Sequence, residues 1–195
     1  ADATVTRNRC PAGMTMPELA TIVPSGISMD DTRSAAPLGI REGLGLDAKA
    51  KVAVNVAALV GEKDHTTLLR AAERLREAEP SLHWVIAGEG PLRAEIERLR
   101  DKLGLSACVH LLGHISEPVR LITDADVFVM SSRQEGLGTS VLDAMASGIP
   151  VAATAAGGLP ELLSDGAGLL VTPGDSSALA DAVHRILTDQ VLRGA

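Results

Sequence analysis

The chain has 195 residues, 46% of them apolar and 22% charged, enough to bury the core of one ordinary domain with some chain to spare, which excludes disorder as its main state. Eighteen basic against 25 acidic residues give a formal net charge of −7 with the basic residues scattered among the acidic ones, and this argues against a broad surface for nucleic acid or anionic lipid. With Trp84, Phe128 and no Tyr there is no material for an aromatic platform under bases or sugars, and no apolar run approaches the roughly 18 to 20 residues that span a bilayer. The N-terminus lacks the basic-then-apolar layout of a signal peptide, so the expected location is the cytoplasm. Cys10 and Cys108 are read as unpaired, because Cys108 sits in an apolar, strand-like stretch.

In chain order, residues 1–50 are rich in Pro, Gly, Ser and Thr and carry no long periodic helix; they read as a linker arm. Within it, Thr21–Ile27 is a short apolar run broken by a turn, and Met29–Ala50 is a polar connector. From residue 51 onward, apolar runs of four to eight residues alternate with helical patterns. The runs are Val52–Leu59, Leu82–Ala87, Cys108–Leu112, Asp126–Met130, Pro150–Thr154 and Gly168–Val171, nearly continuous, as strands covered on both faces require. Asp64 caps a helix with Leu68, Leu69, Ala71, Ala72 and Leu75 on one face, stopped by Pro80. Pro91 opens a second, with Leu92, Ile96, Leu99 and Leu103 in a stripe ended by Gly104. A last helix, from about Ser176 to Thr188, presents Leu179, Ala182, Val183, Ile186 and Leu187. Such alternation with short links predicts a doubly wound, parallel, six-stranded Rossmann-like α/β sheet over residues 51–195, which binds its ligand at the carboxyl ends of the strands.

The segment Ser131–Pro150 follows a predicted strand and opens a helix through a loop with two glycines, Gly136 and Gly138. Free N–H groups at Gly138, Thr139 and Ser140, with the positive end of the helix dipole, suit a phosphate. Glu135 in the loop and Asp143 about one turn into the helix would bracket a diphosphate. Carboxylates repel phosphate, so their partners would be hydroxyls on either side of it, as in a sugar nucleotide. The residues alone leave a second reading open, a plain strand-to-helix turn with Glu135 solvated and Asp143 on the helix surface.

This segment resembles the signature of the group 1 (family 4) retaining glycosyltransferases, in which two Rossmann-like domains face each other and the C-terminal one holds the donor. The resemblance extends to Thr21–Ile27 as a hinge motif, Gly88-Glu89-Gly90-Pro91-Leu92, Val109–Gly113, Gly157-Gly158-Leu159-Pro160-Glu161 and Gly168–Asp175. It implies a donor-binding half, residues 51–195, preceded by the hinge and the tail of a missing N-terminal domain. The implied reaction moves a sugar from a nucleotide diphosphate sugar to the hydroxyl of an unknown acceptor, with retention and without a metal or other cofactor. The same resemblance places Glu135 on hydroxyls of the transferred sugar as the catalytic residue and Asp143 on the ribose. It puts the N–H groups of Thr139 and Ser140, with Gly136 and Gly138, on the diphosphate, Lys63 beside the phosphates, and the backbone around Ile115 against the base, with Gly88 also among the donor-binding residues. Two positions depart from the family pattern: Asp143 stands where Glu is usual, and Ala57-Ala58 where Gly-Arg is frequent.

No other constellation carries chemistry. His110 and His114 would lie roughly 13 Å apart along a strand and so make no metal pair. His65 and His83 have no partner set, His184 stands beside Arg185 on a helix, and the mixed charges of Arg93–Lys102 describe a solvated face. The rival readings are a nucleotide-sugar-binding module without transfer and a sugar-nucleotide epimerase of similar architecture.

Overall fold

The computed structural model describes residues 35–189; Thr21–Ile27 and Cys10 lie outside them. Six strands, β1 (Lys51–Val56), β2 (Leu82–Ala87), β3 (Val109–Gly113), β4 (Val127–Met130), β5 (Val151–Thr154) and β6 (Gly168–Val171), form one sheet in the order β3-β2-β1-β4-β5-β6. Every neighbouring pair is parallel. Because side chains alternate along a strand, the sheet feeds two cores. Ala53, Trp84, Ile86, Val109, Val127, Val129 and Ala152 point to one side. There they meet α2 (His65–Leu75), α3 (Arg93–Lys102) and α7 (Ser176–Thr188). Val52, Val54, Phe128, Met130, Val151 and Ala153 point to the other. They meet α4 (Pro118–Ile122), α5 (Thr139–Ala146) and α6 (Leu159–Leu162).

Local chemistry sets the helix ends. The Asp64 carboxylate accepts from the Thr67 N–H and hydroxyl, and Asp175 accepts from the N–H groups of Ser177 and Ala178, so α2 and α7 each start with a side-chain cap. The apolar stripes predicted for α2 and α7 are the faces they bury. The second helix begins at Arg93, later than predicted, with Pro91 and Leu92 in the turn before it. β1 also ends earlier than predicted, at Val56: the Ala57 N–H still donates to Ala87 O at the end of β2, and the Leu59 N–H donates to Glu89 O beyond it.

Residues 35–50, the end of the polar connector, lie against the sheet domain. The short helix α1 (Ile40–Gly43) buries Ile40 in the core on the α4 side. The Arg41 guanidinium donates to Ala50 O and Asp124 O and pairs with Asp126, whose carboxylate also accepts from the Val52 N–H. A four-residue helix anchored by one apolar side chain and one guanidinium has no periodicity to read, so composition alone made this stretch look like free linker.

Candidate functional site: the exits of β1 and β4

The chain leaves β1 toward α2 on one face of the sheet and leaves β4 toward α5 on the other, although the two strands are neighbours. A crevice at the carboxyl edge follows from that divergence. The loop after β1, which ends in a 3-10 turn at Gly61–Lys63, lies against the loop after β4. The N–H groups of Arg133 and Gln134 both donate to Glu62 O, at 2.8 and 3.3 Å, and the Ser131 hydroxyl donates to Lys63 O at 2.9 Å. This brings two of the expected site residues together: Lys63 Nζ pairs with Glu135 Oε2 at 2.6 Å. The same Oε2 accepts from the Ser132 hydroxyl at 3.0 Å, and Oε1 accepts from the Gly136 N–H at 3.2 Å. Glu135's side chain is only 8% exposed, so it is a held carboxylate and not a solvated one.

α5 opens at Gly138, in the left-handed region with φ +67°, and has no side-chain cap. The first-turn N–H groups of Thr139 and Ser140 thus have no intrahelical acceptor. A Cβ at Gly138 would stand 2.7 Å from the Leu159 side chain, whereas one at Gly136 would meet nothing within 4 Å. Of the two loop glycines, only Gly138 is sterically required. Asp143 sits in the second turn of α5, partly buried, and that burial pushes its carboxyl above the ordinary carboxylate range.

The loop rests on a second glycine pair. A Cβ at Gly157, which has φ +54°, would stand 1.7 Å from Glu135 O, and one at Gly158 would stand 2.6 Å from Gly136 O. Sequence reasoning named these glycines as a turn and not as the floor under Glu135. It also passed over Ser132, whose backbone carbonyl is in turn held by the buried Thr154 hydroxyl. The available signal was the pair Ser131-Ser132 at a buried strand exit, where hydroxyls need partners.

Gly88 and Ile115 gather elsewhere on the same edge. With Val56, Ala57, Ala58, Ala87, Glu89, His114 and Pro118 they line a cleft of about 340 Å³ at the ends of β1, β2 and β3. Gly88 has φ +145° and a Cβ there would stand 1.9 Å from Ala57 O, so its role in the fold is to let the two strand exits touch. Ala58 is exposed and puts a methyl group on this cleft where the family pattern frequently has a guanidinium.

The histidines do other things. His83 is not partnerless: its Nδ1 lies 3.1 Å from His110 Nε2, with the rings stacked, and burial lowers the pKa of both. His184 lies 3.1 Å from Glu79, which also pairs with Lys51. Arg93, on the predicted solvated face, pairs with Glu89 and Glu97. His65 is buried with neither ring nitrogen hydrogen-bonded, and its pKa falls to about 4, chiefly through burial. Among the described residues no group of three or more His, Cys, Asp or Glu could hold a metal ion, and no helix is long and apolar enough to cross a membrane.

Fold and crevice together define a Rossmann-like α/β domain with a cleft where its strand order reverses. The sequence model of the family described as "Glycosyl transferases group 1" matches residues 39–194, and the chain belongs to that family. It is 35% identical over 185 residues to a D-inositol 3-phosphate glycosyltransferase of Corynebacterium jeikeium, covering 88% of this chain and 44% of the relative. It is 34% identical over 154 residues to the lipopolysaccharide core biosynthesis glycosyltransferase LpsE of Rhizobium meliloti, covering 78% and 44%. Among solved structures, Anabaena Alr3699/HepE in complex with UDP and glucose superposes with a TM-score of 0.81 at 26% identity, over 91% of this chain and 50% of that one. The chain spans less than half the length of the two curated relatives.

Proposed function

We propose that this chain is the donor-binding half of a glycosyltransferase that moves a sugar from a nucleotide diphosphate sugar to an acceptor hydroxyl with retention. Residues 51–195, with residues 35–50 packed against them, would bind the donor, and the chain before residue 35 would be the hinge and the tail of an N-terminal domain that carries the acceptor. The observation that carries this reading is the Lys63–Glu135 pair beside the uncapped start of α5. One ammonium and two free backbone donors match a diphosphate, and a carboxylate a few ångströms away matches sugar hydroxyls. As the bond to the sugar breaks, charge grows on the leaving diphosphate, and these donors stabilise it without reorganising. They offset part of the diphosphate charge, and in this reading the donor binds without a metal and the reaction takes place in the cytoplasm. Donor and Glu135 would compete for Lys63: phosphate takes the ammonium, and the freed carboxylate oxygen turns to the sugar. Asp143 would reach the ribose, through a water where its arm is too short. The nucleotide base would lie in the cleft between Gly88 and Ile115.

The exposed methyl group of Ala58 favours a second reading, a nucleotide-sugar-binding module without transfer, and sugar transfer by the full-length protein discriminates the two. Calorimetric titration with UDP and UDP-glucose, with their GDP and ADP counterparts, tests donor binding. Glu135→Gln should weaken the sugar nucleotide about tenfold relative to the bare diphosphate, which itself should bind as well or better because Lys63 loses its competing partner. Equal loss of both removes Glu135 from the sugar.

A further inference from the structure

Lys63 and Glu135 stand on different loops, and an ion pair between two long side chains does not fix where those loops lie. A separate contact one residue further along the first loop does. Asp64 is buried, and among the described residues it is the one non-glycine residue with positive φ, at 44°. Its carboxylate reaches both ways. Toward α2 it takes the Thr67 N–H on Oδ1 at 3.3 Å and the Thr67 hydroxyl on Oδ2 at 2.7 Å. Toward the loop after β4 it takes Arg133 Nε on Oδ2, also at 2.7 Å. Arg133's own backbone N–H is bonded to Glu62 O on the other side of Lys63. The stretch Arg133–Glu135 is therefore tied at one end through Glu62 and Asp64, and Lys63 lies between those two ties.

We propose that Asp64 and Arg133 are positioning residues: a buried carboxylate that caps α2 and clamps the β4 exit, so that Lys63 and Glu135 meet the sugar diphosphate at a fixed separation. The left-handed conformation at Asp64 fits this role, since strain of this kind persists only where surrounding bonds over-determine it. Arg133 has 63% of its side chain exposed and Asp64 only 5%, so the guanidinium gives up little packing when replaced while the carboxylate loses its cross-loop partner. The inference rests on the donor-site reading for its consequence in binding, but not for the clamp itself.

A ligand-free measurement separates the two. In the 195-residue chain, acetylation of the four lysines by an acylating reagent, followed by mass spectrometry, reports how firmly Lys63 is held, with exposed Lys49 and Lys102 as internal references. Arg133→Gln should raise the acetylation rate of Lys63 severalfold and leave Lys49 and Lys102 unchanged. Arg133→Lys should restore part of the protection, because an ammonium still pairs with Asp64. Asp64→Asn keeps a capping side chain for α2 and should resemble Arg133→Gln. Calorimetry with UDP and UDP-glucose then reads the consequence: UDP-glucose should lose about tenfold in affinity, and UDP less, because the diphosphate needs Lys63 and the sugar needs both residues in register. Unchanged Lys63 reactivity in both variants overturns the clamp. So does an equal loss of UDP and UDP-glucose with Lys63 still protected, which makes Arg133 a direct phosphate contact. Failure of the parent chain to bind any nucleotide sugar, with Lys63 freed in the variants, overturns the donor-site reading and leaves the clamp standing.

Discussion

Gly157→Ala and Gly136→Ala place the same extra methyl group on two sides of one loop, with opposite expected results. At Gly157 the new Cβ would stand 1.7 Å from Glu135 O, a backbone atom that cannot swing aside, so the loop must retreat by more than 1 Å to reach a tolerable contact. The left-handed φ of +54° adds backbone strain of about 1 kcal/mol for a residue with a Cβ. Strain and displacement together should cost about 2 kcal/mol, which lowers the melting temperature by about 4 to 8 °C for a domain of this size. Because the displaced atom belongs to Glu135, UDP-glucose affinity should fall by about tenfold or more, while UDP, held mainly by α5 and Lys63, should fall less. Gly136→Ala meets no protein atom within 4 Å and should leave the melting temperature within error. Thermal unfolding by circular dichroism and calorimetric titration read the two effects. A Gly157→Ala protein that melts within 1 °C of the parent with unchanged affinity refutes the view that this glycine sets the height of Glu135.

Three further outcomes are expected. Lys63→Ala should weaken UDP binding about tenfold or more relative to uridine, since a charge-assisted bond to phosphate is lost; equal binding of UDP by mutant and parent, by calorimetry, removes Lys63 from the phosphates. Treatment with a chelator should leave UDP binding unchanged, and restoration of lost binding by added magnesium or manganese would show that the phosphate site is wrong. His65 stays neutral in the fold down to about 4 while the unfolded chain protonates it near 6.5, so stability should decline as pH falls through that window, by about 2 kcal/mol at pH 5. His65→Gln should flatten that decline in urea unfolding measured from pH 8 to pH 5, and an identical slope in the mutant would mean that His65 is solvated in the fold.

The sheet was legible because its four inner strands are covered on both faces, so each reads as a nearly continuous apolar run, and because Asp64 and Asp175 mark helix starts chemically. Boundaries failed where the next bond is tertiary. Ala57–Leu59 is as apolar as β1, and only the close approach of Gly88 and Gly90 pulls it out of the strand. The short helices α1 and α4 were missed because one turn of helix carries no period; Ile40 and Leu121 are buried by what lies opposite them, not by a stripe.

For the crevice, the glycine loop announced the β4 exit, and a resemblance supplied the residues around it. The bonds that hold the crevice together were hidden for a physical reason. Lys63 and Glu135 are 72 positions apart, and Asp64 and Arg133 are 69 apart, so no periodicity within a helix or strand relates them. Strand order alone brings them together. In a chain that builds β1, β2 and β3 outward and then returns to set β4 against β1, the first and fourth exits become neighbours, and a buried polar residue on one can find its partner on the other. Buried carboxylates at two such exits, Asp64 and Glu135, each needed a cation, and Lys63 and Arg133 supply them crosswise: the first loop's lysine to the fourth loop's glutamate, the fourth loop's arginine to the first loop's aspartate. That reciprocity makes the two loops one unit, and it follows from where the chain doubles back across β1.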